Sequence, residues 1–224
     1  GADILDIGAC STRPNSTPIS SEDEWLSLSR ALEMIRAHWA DIPISVDTFR
    51  VSIADLALQH GADMINDVYG GEADTCMWNV VKKHNVPYVL THSLAIVDST
   101  SGQYDSTLSQ TLDYLQDRLS YLYRSGVKDV LVDPGFGFGK TVEQNYTLLR
   151  QLELFHVLRA PLLVGVSRKS MLYKPLQRTP QEVLPATTAA HMVALQKGAN
   201  ILRVHDVEAA RQAIKIYELT YQNK

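Results

Sequence analysis

A chain of 224 residues with 45% hydrophobic side chains can bury one large core, so a single domain over residues 1–224 is expected. The 21 Lys and Arg against 25 Asp and Glu give a formal charge of -4 without any basic tract, which argues against nucleic acid or a membrane surface as a partner. Cys10 and Cys76 are too few for a disulfide framework and lack C-x-x-C spacing, no apolar run approaches a membrane span, and the start lacks a signal-peptide pattern, so a cytoplasmic location is expected.

In chain order, Ile4 to Gly8 reads as a strand, followed by a polar, turn-rich loop through Pro18. Ser21 with Glu24 forms a capping-box pattern, and Trp25, Leu28, Leu32 and Ile35 then recur at helical spacing. Ile44 to Asp47 is a strand ending in a carboxylate, and its helix carries Val51, Ala54 and Leu58 and stops at Gly61. Met64 to Asp67 is the next strand, Gly70-Gly71 its turn and Cys76 to His84 its helix. Pro87 to His92 is a fourth strand, whereas Ser93 to Gly102 is rich in Ser, Thr and Asp without a firm period. Leu108, Leu112, Leu115, Leu119 and Leu122 mark a helix closed by Gly126, and Val130 to Asp133 is a buried strand that Pro134 and three glycines must end. A helix over Tyr146, Leu149 and Leu152 leads to a sixth strand, Leu162 to Val166, and then Ser167-Arg168-Lys169-Ser170. A helix near Thr187 to Lys197 stops at Gly198; Ile201 to Asp206 is the last strand, and the closing helix shows Val207, Ala210, Ile214 and Tyr217 on one face.

Seven strand-helix units are thus expected, with Asp6, Asp47, Asn66, His92, Asp133, Ser167 and His205 at successive strand ends. That regularity predicts an α/β fold of the TIM (β/α)8 barrel type, where chemistry gathers at the carboxyl ends of the strands. A full barrel has roughly eight strands in about 250 residues, so the first β/α unit is expected to be missing from the front of this chain. A doubly wound open sheet is the rival; it would focus chemistry at one switch point.

The glycine-rich turn after Asp133 fails both phosphate-loop templates, because Pro134 stands where the P-loop needs glycine and Lys140 spoils the dinucleotide spacing. A lone strand-end carboxylate such as Asp6 is commonly a cap or loop acceptor, but a ring of polar strand ends is not. Asp47, Asn66 and Asp133 with Lys169 offer the donors and acceptors that pair with the edges of a flat heterocycle. Arg203 and His205 with Arg13 suit an anionic leaving group, unless Arg203 is spent on Asp206. His92 and His205 lack metal-ligand spacing; a strand-end histidine reads as a hydrogen-bonded core residue, and Cys10 as a small buried side chain. Phe136 and Phe138 either stack on a ring or pack the turn.

Asp6-Ile7-Gly8 with Ser11-Thr12-Arg13-Pro14, Ser45-Val46-Asp47-Thr48, Ile65-Asn66-Asp67, the Asp133 to Lys140 run, Ser167-Arg168-Lys169-Ser170 and Arg203-Val204-His205-Asp206 together, and in this order, resemble dihydropteroate synthase. The resemblance runs from first residue to last. It implies a TIM barrel that joins a pterin pyrophosphate to p-aminobenzoate, releasing dihydropteroate and pyrophosphate in folate biosynthesis, with Mg²⁺ offsetting the pyrophosphate charge and a homodimer formed through the later helices. On that resemblance Asp47, Asn66, Asp133 and Lys169 bind the pterin, and Arg203 and His205 the pyrophosphate. Thr12, Arg13 and Pro14 belong to the second loop, which with Phe138, Lys169 and Ser170 forms the p-aminobenzoate site, and Gly165 is counted among the substrate-binding residues. Two departures stand out: the first strand and the Mg²⁺-binding loop of the family have no counterpart here, and Thr91-His92 replaces the usual Met-His at the fourth strand. A pterin-binding methyltransferase domain shares the barrel and the pterin carboxylates but does not need Ser167 to Ser170 or Arg203 to His205. A non-catalytic pterin-binding module would dispense with the first loop altogether.

Overall fold

Short runs of branched apolar residues that end in a polar side chain, each followed by a helix, set the architecture. The computed structural model describes residues 1–10, 19–94 and 107–221, so Thr12, Arg13, Pro14 and the segment 95–102 lie outside the described residues. The strands are β1 (Leu5–Ile7), β2 (Ile44–Asp47), β3 (Met64–Asp67), β4 (Tyr88–Thr91), β5 (Val130–Asp133), β6 (Leu163–Val164) and β7 (Ile201–Leu202). The helices are α1 (Ser21–His38), α2 (Val51–Gln59), α3 (Cys76–His84), α4 (Thr107–Ser125), α5 (Val142–Arg150), α6 (Ser170–Tyr173), α7 (Leu184–Gln196) and α8 (Val207–Tyr221), with 3-10 turns at Leu152–Leu158 and Pro180–Glu182. Among the described residues no helix is long and apolar enough to cross a membrane. The chain forms two compact units: Ala2–Thr91 with Arg118–Leu131, and Gly1, His92–Asp117 and Val132–Lys224.

In the first unit β1 to β4 lie in sequence order in a parallel sheet that continues into β5. Ile44, Val46, Ile65, Tyr88, Val89 and Leu90 are buried, as expected of parallel strands covered on both faces. Helix α1 begins one residue earlier than its capping pattern predicted: Ser20 Oγ accepts from the Asp23 amide at 3.0 Å. Glu24 is therefore released from capping and is fully buried on the same helix face as Leu28, Leu32 and Ile35, where it accepts from Thr48 Oγ1 at 2.8 Å and pairs with Arg50. Trp25, expected on that face, is only half-buried, with its ring edge-on to His60. Arg36 near the end of α1 donates to the carbonyls of Gly61 at 2.9 and 2.6 Å and of Ile42 at 2.6 Å, which ties the entry of β2 to the exit of α2.

In the second unit the end of β5 is bridged in parallel at Val132 to Leu162, and β6 pairs with β7 in parallel, Leu163 to Ile201 and Val164 to Leu202. Both of these strands are shorter than the expected runs 162–166 and 201–206. Arg203 N still donates to Val164 O at 2.9 Å, but the next ladder amide, His205 N, goes to the hydroxyl of Ser167 at 3.3 Å, so a side chain replaces the strand. Helix α5 carries the capping box of Thr141 and Gln144 and ends at Arg150; Leu152, expected in it, opens the 3-10 turn, and Tyr146 faces solvent. The four-residue α6 is too short to have left a periodic signal.

Candidate active site

In the first unit the β2–β3 register sets Asp47 beside Asn66, and Asn66 Nδ2 donates to Asp6 Oδ2 at 3.2 Å, so these three strand ends share one face. The chain just past Asp47 is fixed by Thr48, whose amide donates to Asn66 O at 3.1 Å and whose hydroxyl donates to Glu24. A Cβ at Gly8 would sit 3.0 Å from both Cβ and O of Asp47, so only glycine lets the β1 loop pass so close. Asp67 has a different task from its neighbour Asn66: it accepts from the amides of Tyr69 and Gly71 and from the Tyr88 hydroxyl, at 2.9, 2.8 and 3.0 Å. Burial pushes its pKa up, and these donors oppose the shift.

The second unit holds the denser constellation. Asp133 is buried at the end of β5, and its Oδ1 accepts the Gly135 amide at 2.7 Å. Burial raises its pKa, while Lys169, the Gly135 N–H, Lys140 and Arg203 favour the carboxylate. The Lys169 ammonium donates to Phe136 O and stands 4.6 Å from the centroid of the Phe138 ring, a cation–π contact. A Cβ at Gly165 would lie 3.8 Å from both Lys169 Nζ and Arg203 Cβ, so this glycine borders the Lys169 ammonium and the root of the Arg203 side chain. His205 Nδ1 lies 2.9 Å from Ser167 Oγ, and its side chain is exposed. Asp206 is gripped by both arms of Arg168, at 2.8 and 2.6 Å, which identifies its ion partner as Arg168. Ser170 opens α6 directly after Lys169, which occupies the cap position.

Asp133, Phe138, Gly165, Lys169, Ser170, Arg203 and His205 thus all belong to the second unit, while Asp47 and Asn66 pair within the first. Phe136 packs rather than stacks, since it is fully buried. His92 is a core histidine: burial lowers its pKa to about 3, and its Nδ1 lies 3.2 Å from Thr111 Oγ1. Sequence reasoning passed over Lys140, a buried lysine, and Asn145, which binds Gly137 N at 2.7 Å and the carbonyls of Lys140 and Thr141 at 3.2 and 2.6 Å. The available signal was the conjunction itself: a lysine closing a glycine run directly after a buried strand. Among the described residues no group of three or more His, Cys, Asp or Glu side chains is placed to hold a metal ion.

The family model described as pterin binding enzyme matches residues 1–205. The dihydropteroate synthase of Clostridium beijerinckii is 38% identical over 98% of this chain and 80% of its own length, and that of Bacillus subtilis is 36% identical over 97% and 75%. The chain belongs to the dihydropteroate synthase family. Among solved structures, the Clostridium difficile dihydropteroate synthase crystallised in the presence of pteroic acid superimposes with a TM-score of 0.93 at 34% identity, covering 100% of this chain and 84% of that one. The Xanthomonas albilineans enzyme with 4-aminobenzoic acid gives 0.91 at 35% identity, covering 100% and 81%. The fold class is therefore α/β of the TIM-barrel type found in these enzymes, and the chain is a transferase.

Proposed function

We propose that the chain joins 6-hydroxymethyl-7,8-dihydropterin pyrophosphate to p-aminobenzoate, giving 7,8-dihydropteroate and pyrophosphate in folate biosynthesis. The observation that carries this reading is the clustering in one unit of a buried carboxylate whose charge Lys169 and Arg203 both favour, an ammonium against an aromatic face, and a hydroxyl-held histidine: Asp133, Lys169 over Phe138, and Ser167–His205. The pterin's ring N–H groups need a buried acceptor, which Asp133 supplies, and its carbonyl and ring nitrogens need a donor, which Lys169 supplies. Asp47 and Asn66 keep the pterin-binding role that the resemblance implies for them. Cleavage of the methylene C–O bond leaves positive charge on the pterin and negative charge on the departing pyrophosphate. Asp133 stabilises the first, and Arg203 and His205 the second. The amine of p-aminobenzoate then forms the C–N bond and loses its proton, with Phe138, Lys169 and Ser170, and Thr12, Arg13 and Pro14 of the second loop, as its binding residues.

A homodimer through α7 and α8 is part of the proposal, because Ile216 and Leu219 of α8 and Val193 of α7 are exposed at 57%, 53% and 37%. A cytoplasmic setting is supported by the free Cys10 and Cys76. The reading is tested by incubating the protein with both substrates and Mg²⁺ and measuring dihydropteroate and pyrophosphate together. Equimolar formation of both, abolished by omitting p-aminobenzoate, is expected; the absence of any dihydropteroate overturns it. Sedimentation equilibrium of the wild type and of Leu219→Asp tests the dimer.

A further inference from the structure

Lys140 stands apart from every residue used so far. It is 7% exposed, yet among the described residues no carboxylate forms an ion pair with it; instead Nζ donates to the carbonyls of His92, at 3.0 Å, and Gly135, at 2.8 Å. Those carbonyls belong to the chains leaving β4 and β5, and His92 N donates back to Asp133 O at 3.0 Å. Gly135 sits between them at φ +72°, and a Cβ there would fall 1.8 Å from His92 O, so the turn is pressed onto the His92 backbone as closely as a bare glycine allows. The same turn carries the Gly135 amide that holds the Asp133 carboxylate and the Phe136 carbonyl that receives Lys169.

Burying an ammonium costs several kcal/mol unless something offsets it, and two backbone carbonyls do so only in part. A hydrophobic side chain would pack the same space at less cost if packing were the whole purpose. We propose that Lys140 is a positioning residue for the reaction: by bonding at once to the carbonyls after β4 and β5 it fixes the glycine-rich turn, and with it the Asp133 carboxylate and the Lys169 ammonium, in the geometry that receives the pterin. This rests on the assignment of Asp133 and Lys169 to the pterin made above. The groups that face the Lys140 ammonium are Asp133 at the end of β5, Lys169 at the entry of α6 and the His92 ring after β4. Burial, with Lys169 adding repulsion, depresses the Lys140 pKa from 10.5 to about 7 against the pull of Asp133, so its charge changes near neutrality. Losing that charge weakens the bonds from Lys140 to the two carbonyls and removes a counter-charge beside Asp133, so the turn and its carboxylate are held less firmly against a pterin N–H.

The experiment titrates 6-hydroxymethylpterin into the intact protein and into Lys140→Met and Lys140→Arg, from about pH 5.5 to 9, with circular dichroism and thermal unfolding in parallel and steady-state kinetics in both substrates. Lys140→Met is expected to raise Kd for the pterin and KM for the pterin pyrophosphate about tenfold, and KM for p-aminobenzoate, which shares Lys169 and Phe138 with the positioned turn but is also bound by the second loop, by a smaller factor. Wild-type affinity is expected to fall as pH rises through neutrality, a limb that Lys140→Arg, charged throughout, does not show. A folded Lys140→Met that binds the pterin as tightly as wild type overturns the inference. So does an equal rise in both KM values, which a general loosening of the fold would give. Should Lys140→Met not fold, a wild-type neutral limb that persists unchanged in Lys140→Arg overturns it instead. A wild type that makes no dihydropteroate overturns the functional reading; the pterin titrations still decide the role of Lys140.

Discussion

Ser167 Oγ lies 2.9 Å from His205 Nδ1 and also 3.3 Å from the His205 amide, so one hydroxyl fixes both the ring and the backbone of the residue assigned to pyrophosphate. When the hydroxyl donates to Nδ1, the tautomer carrying its proton on Nε2 is selected, and the histidine presents a donor outward. Ser167→Ala is expected to weaken pyrophosphate product inhibition by about three- to tenfold, the worth of one hydrogen bond, and to leave pterin affinity unchanged. Inhibition constants for pyrophosphate alongside a pterin titration check it; a change in the pterin alone contradicts the assignment.

Asp133→Asn and Lys169→Ala are each expected to reduce pterin affinity by about ten- to hundredfold, since each removes a charged hydrogen-bonding partner worth roughly 1.5–3 kcal/mol. Calorimetric titration measures the loss, and near-native unfolding curves would place it in binding rather than folding. Unchanged affinity in both variants would remove the pterin from this part of the chain.

Gly135→Ala should be far more damaging to the fold than its size suggests. The added Cβ would collide with His92 O at 1.8 Å on a backbone held at φ +72°, and neither strand end can retreat without breaking the Lys140 bonds. A loss of about 3 kcal/mol or more in denaturant unfolding is expected, or failure to fold.

Stability should fall steeply in mild acid. Burial depresses His92 from 6.5 to about 3 and His191 from 6.5 to about 4, so the unfolded chain takes up protons from about pH 6.5 that the native chain refuses until lower pH. The contribution of each is fully present above its unfolded pKa and is lost as pH falls through this window. His191 is 1% exposed and neither ring nitrogen has a hydrogen-bond partner among the described residues, whereas Thr111 engages His92. His191→Leu should therefore fold well and flatten the acid limb by on the order of 3 kcal/mol between pH 6.5 and 4. Denaturant titrations at several pH values decide it: parallel limbs in wild type and variant would refute the linkage.

Strong local signals were legible in the sequence. Helix α3 and strand β5 begin and end where the residues said they should, because a period and its stop residues agreed there. The cap of α1 was misplaced by one residue because Ser20 and Ser21 both satisfy the pattern, and only the burial of Glu24 distinguishes them. The ends of β6 and β7 were unreadable because the Ser167 hydroxyl substitutes for a backbone carbonyl, a long-range event that no local window contains. The strand-end polar residues could be picked out by position, but Lys140 and Asn145 could not: their roles come from backbone groups brought to them by the turn. The α6 segment is a single helical turn, shorter than any period could reveal.

The Glu24–Arg50 pair constrains how this chain can change over time. Glu24 is fully buried, Arg50 is largely so, and the arginine also donates to Ile19 O at 2.7 Å. Replacing either partner alone strands the other, at a cost of about 3–5 kcal/mol, while replacing both with matched apolar side chains costs far less. Viable sequences with and without the pair are therefore separated by an intermediate close to the limit of stability. Substitutions at positions 24 and 50 should be inherited together, and a double variant should outlive either of its parents.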